Sequence, residues 1–224
     1  MELGTLLELL YSARDRSKTV QATAYRRHRQ SRELELMRAR GFLRELPPIP
    51  PEEGEWGEPS ELVETTTRLW AARPYWLRWE SAFSGNPSGA QRSVCVKEGE
   101  LFWHRFDDGE IRSNETREGH GTMTTREELL VDPSPLLASY RFEIGSPETL
   151  IGRRGMGVLA HRRAGRHWHE FGPLGDQLAL VVDEERGILL RAAIVVDGDE
   201  ITSEEIVQVT FDETISGELF RPLK

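Results

Sequence analysis

From Leu62 onward, apolar residues largely recur at every second position, and this alternation is the feature that most restricts the fold. Side chains two residues apart lie on the same face of a β-strand, so alternating segments predict strands with one buried face. Turn sequences separate these segments, among them Arg73-Pro74, Glu98-Gly99 and Asp108-Gly109. Short links of this kind join antiparallel neighbours. We therefore predict a sheet of about ten strands, which must twist and curl into a barrel or partial barrel.

Helical patterns occur before and within this run of strands. The first helix has an apolar stripe at helical spacing, made of Leu3, Leu6, Leu7 and Leu10. After a strand at "KTVQATAY", the segment "SRELELMRARGFLRE" predicts a second helix. Thr125 and Glu128 have the spacing of a capping box, and Asp132-Pro133 predicts the start of a further helix in "DPSPLLASY". We expect the first and last of these helices to cover the concave face of the sheet.

The length of the chain favours one domain over residues 1–224, because 224 residues can bury a substantial core in a single large β-rich unit. The segment "LPPIPPEEGEWGEPSE", at about 46–61, is rich in proline, glycine and glutamate. That composition excludes regular structure and favours a flexible, exposed loop. We therefore interpret it as an insertion within one domain.

Charge and composition exclude several classes of function. The net charge of −9 argues against nucleic-acid binding, which needs an excess of basic surface. No apolar run approaches the ~20 residues that span a bilayer. Glu2 and Glu8 interrupt the first residues, where a secretory signal would have a basic start and an apolar centre. We therefore expect a cytoplasmic protein, or an extracytoplasmic one whose leader has been removed. The single cysteine, Cys95, excludes an internal disulfide.

The stretch "RLWAARPYWLRWE", from Arg68 to Glu80, concentrates three of the six tryptophans around a proline turn. Alternation after the turn places Tyr75, Leu77 and Trp79 on one face of a strand. The opposite face then carries Trp76, Arg78 and Glu80. We predict that the first set faces inward. A mixture of aromatic residues and arginines can also stack nucleobases, but the acidity of the chain disfavours that interpretation.

Several segments together resemble the LolA-like superfamily of bacterial outer-membrane lipoprotein carriers. They are "LWAARPYWLRWE", "VCVKEGELFWHRF" and "DPSPLLASY", followed by "LALVVDEERGILLRAAIVVDGDEI" and "VQVTFDE", which are similar to the closing strands of actinobacterial members. The resemblance covers most of the chain apart from the proline-rich insertion. It implies an α+β fold in which a large curved antiparallel sheet forms an incomplete, half β-barrel covered by helices. It also implies an apolar cavity that accepts acyl chains or similar ligands.

The resemblance further assigns roles to individual residues. Arg73 matches the arginine that holds the helical lid closed in lipoprotein carriers. Leu77 and Trp79 match positions on the concave face of the same strand. The inward, ligand-binding set is then Tyr75, Leu77, Trp79, Val94, Val96, Leu101 and Trp103. Cys95, Phe102 and His104 are left on the opposite face.

A metal site in "HRRAGRHWHE" is the main chemical alternative. His167 and His169 would point to the same side of a strand and could share a metal with Glu170 or His161. Because the segment contains a turn and three arginines that repel a cation, a solvated loop is the better interpretation. Cys95 has few basic neighbours in sequence and is expected to be an inert, packed thiol.

We therefore predict a non-catalytic protein that binds a hydrophobic small molecule or acyl chain, without a cofactor. Two other functions remain open. One is a cofactor-independent enzyme of specialised metabolism built on the same fold. The other is a regulatory sensor or interaction domain with a protein partner.

Overall fold

The computed structural model describes residues 1–42, 61–74, 76–84, 91–113, 125–164 and 171–223. Its helices are α1 (Leu3–Ser12), α2 (Gln30–Ala39), α3 (Arg126–Val131) and α4 (Leu136–Ser139), with 3₁₀-helices at Ala13–Asp15 and Gly217–Phe220. Its strands are β1 (Thr19–His28), β2 (Val63–Ala72), β3 (Trp76–Ser84), β4 (Gln91–Glu98), β5 (Leu101–Arg105), β6 (Ile111–Ser113), β7 (Tyr140–Leu150), β8 (Arg153–Arg162), β9 (Gln177–Asp183), β10 (Leu189–Val196) and β11 (Asp199–Phe211). The predicted insertion at about 46–61 lies, up to residue 60, outside the described residues.

All of the strands belong to one antiparallel sheet in the order β6-β5-β4-β3-β2-β1-β11-β10-β9-β8-β7. Strand β1 pairs with β11, so strands from the two ends of the chain lie side by side at the centre. Within the described residues the sheet is not closed, since β6 and β7 are its two edges. The prediction of a large open antiparallel sheet with covering helices is therefore confirmed.

The register of the strands defines the two faces of the sheet. Residues paired directly across antiparallel strands have their side chains on the same face. Pairs such as Trp79 with Leu69 therefore identify one face, which is buried under the helices and is called here the concave face. The other is called the convex face. Apolar side chains of the concave face and of the helices form one continuous core.

Helix α1 packs into this core, although not through the whole predicted stripe. Leu6 and Leu10 are fully buried, as the spacing predicts, but Leu3 is 45% exposed and Leu9 takes its place in the core. Leu9 is buried because the turn between β9 and β10 reaches the helix there. Gly187 of that turn has a φ of +76°, and a Cβ on it would lie 2.3 Å from the carbonyl oxygen of Leu9. Only glycine permits this approach.

Helix α3 begins at the predicted capping box. The Thr125 side chain accepts a hydrogen bond from the backbone N–H of Glu128, at 3.2 Å. The predicted cap at Asp132 is different. Its carboxylate accepts the backbone N–H of Ser134 in a turn, at 3.2 Å, and α4 starts only at Leu136.

Candidate functional site

The concave wall begins with Leu77 and Trp79, both of which are buried and lie on the concave face. Trp79 is paired with Leu69 of β2 and Cys95 of β4, and Leu77 is paired with Lys97. Leu77 and Trp79 pack in the same core as the leucines of α1 and α3. Tyr75, the third member of the predicted strand face, lies outside the described residues.

The predicted facing of the next two strands is wrong. The register puts four predicted cavity residues on the convex face, namely Val94, Val96, Leu101 and Trp103. The concave face carries Cys95, Phe102 and His104 instead. The reason is the pairing of β3 with β4, in which Trp79 is opposite Cys95 rather than a valine. A shift of one position reverses every side chain, and the tight turn after β4 carries the reversal into β5.

The chain covers part of the convex face with its own C-terminal segment, which explains why residues there are buried. Phe220, in the last 3₁₀-helix, contacts Trp76 edge to face with ring centroids 5.5 Å apart. Arg78 donates a hydrogen bond to the carbonyl oxygen of Leu219 at 3.0 Å. Val96 lies on this same face and is fully buried. Its burial is therefore structural and does not indicate a cavity on the concave face.

Arg73 fixes the end of α1 to the sheet. Its Nε donates hydrogen bonds to the carbonyl oxygens of Arg14, at 3.1 Å, and Ser17, at 2.8 Å. Its Nη1 also lies 3.8 Å from the carboxylate of Asp15. The arginine therefore binds the segment that follows α1.

A cleft of about 110 Å³ lies beside Arg73. Its floor is apolar and includes Val20, Leu77 and Val131, and its rim carries Arg14, Lys18 and Asp132. Small-molecule sites usually enclose about 300–1,000 Å³. The cleft as it stands is therefore too small for an acyl chain, and the core beyond it is filled by side chains of the protein.

Lys97 and Glu128 form a second link between the sheet and the helices. Lys97 is only 8% exposed, and its Nζ donates a hydrogen bond to the Glu128 carboxylate at 2.6 Å. Because Glu128 belongs to α3, which also packs against β10, this helix crosses the concave face between distant strands. The ion pair and Arg73 line the same cleft, and together they join the helical cover to the sheet there.

The opposite end of the concave face is polar. Along β1, the buried residues Val20, Ala22 and Ala24 are followed on the same face by Arg26. Glu204 of β11 is paired directly with Arg26, and it is 4% exposed. Among the described residues, Nε of Arg26 and Oε1 of Glu204 have no hydrogen-bond partner. Thr202 Oγ1, one position along the same face of β11, has none either.

Burial dominates the electrostatics of this polar end. It raises the pKa of Glu204 to about 7 from a usual 4.5, and the negative charge of Glu127 adds to the effect. Arg26 and Arg126 act in the other direction but do not cancel it. Burial, followed by repulsion from Arg26, lowers the pKa of Arg126 to about 10. Nearby, the His28 ring forms a hydrogen bond with Glu33, and that bond lowers the pKa of Glu33.

A groove on the convex face is larger, at about 680 Å³, and its lining combines paired charges with Tyr25, Leu62, Ile201 and Val207. Arg191 forms ion pairs with Glu200 and Glu205, and Arg27 lies 3.9 Å from Glu64. Charges that satisfy one another in this way are typical of a solvated face. We therefore place the candidate site on the concave face.

The remaining chemical candidates do not form a site in the part of the chain that is described. His167, His169 and Glu170 lie outside it, whereas His161 is within it, 3.7 Å from Glu143. No group of three potential metal ligands occurs among the described residues. Burial raises the pKa of the Cys95 thiol to about 12, so the thiolate that reacts is not formed at neutral pH. No described helix is long and apolar enough to cross a membrane.

Comparisons with known proteins identify the fold. No protein-family model matches the chain, and no curated protein matches its sequence. An uncharacterized conserved protein from Thermus thermophilus is 9% identical, with a TM-score of 0.54 over 100% of this chain and 96% of that chain. The MucA/MucB complex of Pseudomonas aeruginosa gives 13% identity and a TM-score of 0.50, over 96% of this chain and 59% of that chain. A LolA superfamily protein from Nitrosomonas europaea is 7% identical, with a TM-score of 0.38 over 99% of this chain and 98% of that chain.

At these identities, similarity to a solved structure is evidence of fold alone. The chain also spans only 59% of the matched chain in the MucA/MucB complex. The open, helix-covered antiparallel sheet confirms the fold class that the sequence predicted. A fold of this kind can host unrelated functions, so function has to be argued from the site.

Proposed function

We propose that this protein binds an apolar or lipid-like ligand on the concave face of its sheet, beneath helices that move aside. The observation that carries the proposal is the way this face is covered. An apolar wall that includes Leu77 and Trp79 is closed by short helices, which pack on it through buried leucines and are joined to the sheet by a few polar contacts, and a small cleft opens beside Arg73. The proposal applies equally to a cytoplasmic and to an extracytoplasmic protein.

The polar contacts that join the cover to the sheet are individually weak. Hydrogen bonds to charged groups contribute about 1.5–3 kcal/mol each when buried. The Arg73 side chain is 40% exposed, so its bonds are screened and their contribution is nearer the lower end. Closure also buries the leucines of α1 and α3, so the closing free energy is larger than these polar contacts alone supply. A ligand that binds only the open state can shift the population towards it.

Ligand affinity would come from apolar burial. Opening the cover exposes the apolar wall, and a ligand that replaces the helices removes this surface from water again. Burial is worth about 25 cal/mol per Å² before the entropy of association is subtracted. A ligand must therefore offer an extended apolar surface to compete with the leucines of α1 and α3.

Tryptophan quenching by a neutral brominated alcohol, 12-bromododecanol, tests the proposal. The bromine quenches a tryptophan only on contact, and Trp79 lies on the concave face whereas Trp103 lies on the convex face. We expect saturable quenching in the wild type, a smaller change in W79F and an unchanged one in W103F. Mass spectrometry of an organic extract of the purified protein should also find a co-purifying lipid. The absence of both saturable quenching and lipid would refute the proposal.

A second candidate function is protein binding. The fold resembles that of a MucA/MucB complex, a structure of two partner proteins. In this chain the outer side of α1 exposes apolar residues, with Leu3 at 45% and Tyr11 at 70% exposure, which could contact a partner. Affinity capture with the wild type and with an L3S/Y11S double variant tests this function. A partner retained equally by both would exclude α1 as the binding surface.

A further inference from the structure

Three polar side chains on the concave face lack the partners that buried groups normally have. Arg26 and Glu204 are directly opposite each other on β1 and β11, yet they form no ion pair with each other. Thr202 lies next to Glu204 on the same face of β11. Within the described part of the chain, Arg26 Nε, Thr202 Oγ1 and Glu204 Oε1 have no hydrogen-bond partner. Buried polar groups are nearly always bonded, so three neighbouring exceptions call for an explanation.

The surrounding charges define what this group of side chains can bind. Arg26 faces Glu204 from β1, and Arg126 and Glu127 act on it from α3. The β10 partner of Glu204 is Ala192, which carries no charge. Beside them, Glu33 of α2 is already paired with His28. When Glu204 is ionised, the two positive charges of Arg26 and Arg126 equal the two negative charges of Glu127 and Glu204. The cluster as a whole is then neutral.

The free groups are mainly hydrogen-bond donors. Arg26 offers an N–H, Thr202 offers a hydroxyl, and a protonated Glu204 offers an O–H. A carboxylate accepts from all three. Burial favours the protonated form of Glu204, because it raises the pKa of this residue to about 7. If Glu204 takes up a proton as a carboxylate enters, one negative charge replaces another and the balance of the cluster is kept.

We infer that Arg26, Thr202 and Glu204 recognise the carboxylate of a bound ligand, and that Glu204 takes one proton from solvent when that carboxylate binds. No covalent bond forms or breaks apart from the transfer of that proton to the Glu204 carboxylate. Taken with the proposed function, on which this part rests, the inference makes the ligand a long-chain carboxylic acid. Its chain would run along the apolar side of β1 from Arg26 towards Val20, a distance of about 20 Å at the usual rise per residue.

Calorimetric titration with dodecanoate, dodecanol and butyrate tests the inference. We expect dodecanoate to bind more tightly than dodecanol at pH 6, and its affinity to fall by about tenfold per pH unit above pH 7. Titrations in two buffers of different ionisation enthalpy at pH 8 should show uptake of about one proton per dodecanoate. Equal affinity for dodecanoate and dodecanol, without pH dependence, would overturn the inference while leaving the proposed function intact.

The other two ligands separate failure of the inference from failure of the proposed function. If butyrate binds as tightly as dodecanoate, with the same proton uptake, the site takes a free small carboxylate, and the apolar part of the proposal is wrong. If none of the three ligands binds, both the inference and the proposed function fail.

Two variants test whether Glu204 and Arg26 are responsible for the pH-dependent binding of dodecanoate. In E204Q, dodecanoate binding should persist but lose its pH dependence and proton uptake. R26Q should lose about ten- to a hundredfold in dodecanoate affinity, the usual effect of removing a charged hydrogen bond, with dodecanol binding unchanged. Glu205→Gln and Arg27→Gln are matched controls on the convex face and should behave as the wild type. Unchanged proton uptake in E204Q would contradict the assignment, and thermal unfolding verifies that each variant is folded.

Discussion

Replacing Glu204 by glutamine should change how the stability of this protein depends on pH. Glu204 is 4% exposed, is opposed by Glu127, and has an oxygen without a hydrogen-bond partner among the described residues. Burial favours its neutral form and raises its pKa to about 7 from a usual 4.5. Glutamine keeps the size and polarity of the side chain but cannot ionise. The substitution therefore removes the cost of a buried charge and little else.

The sign and size of the effect follow from the two pKa values. A group whose pKa is raised on folding binds more protons in the folded protein, so its contribution to stability is complete below pH 4.5 and declines until about pH 7. One pKa unit corresponds to about 1.4 kcal/mol, so the loss over this window is about 3 kcal/mol. E204Q should match the wild type within about 1 kcal/mol at pH 4.5. At pH 8 it should be more stable by about 2–3 kcal/mol.

Urea unfolding at pH 4.5, 6, 7 and 8 provides the measurement, with the slope against urea checked for constancy between variants. Other titrating groups contribute equally to both proteins and cancel in the difference. Glu205→Gln is the control, since Glu205 follows on the same strand but is 41% exposed on the convex face. A difference between E204Q and the wild type that is the same at pH 4.5 and pH 8 would refute the reasoning. The same pH dependence of the free energy of unfolding in E204Q and E205Q would also refute the reasoning.

Three further predictions concern other parts of the molecule. Arg73→Ala should lower the free energy of unfolding by about 1–3 kcal/mol and speed amide hydrogen exchange in α1, because two carbonyl oxygens of the segment that follows that helix lose their donor; unchanged exchange would argue against a closing role. Gly187→Ala should cost several-fold more stability in urea unfolding than Gly198→Ala, since both have positive φ but only the first places a Cβ against the Leu9 carbonyl. Cys95, with a pKa of about 12, should resist a thiol reagent at pH 8 until the protein is unfolded, and rapid labelling of the native protein would contradict its burial.

Much of the fold could be predicted because the relevant signals are local. Alternation and turn residues located the strands, and the capping box located α3. The facing of β4 could not be predicted in the same way. Both of its faces are buried at the centre, Cys95 under the helices and Val96 under the C-terminal segment. Apolar residues on both faces remove the contrast on which alternation depends. The cover of the convex face comes from Phe220, far along the chain in the last 3₁₀-helix, and no local pattern reports it.

The polar end of the concave face could not be predicted from local sequence patterns either. Arg26 continues the inward positions of Val20, Ala22 and Ala24, but a charged residue near the end of a strand ordinarily indicates solvent. Its partner strand is the last along the chain, so the approach of Glu204 depends on the pairing of β1 with β11. Only this long-range pairing at the centre of the sheet brings the two charges together.

The buried carboxyl group and the proposed opening of the helical cover then favour the same conclusion. A protein that needed only a stable core would be better served by an apolar residue at position 204, because the charge at neutral pH costs about 3 kcal/mol. Costs of this kind are usual where a group serves binding or catalysis. The proposed opening of the neighbouring helical cover would expose the apolar wall together with the leucines of α1 and α3. Both features give up stability on the concave face, one at its polar end and one along its apolar length. An amphiphilic ligand that occupies the whole face would recover both losses, whereas a purely apolar ligand would recover only the second.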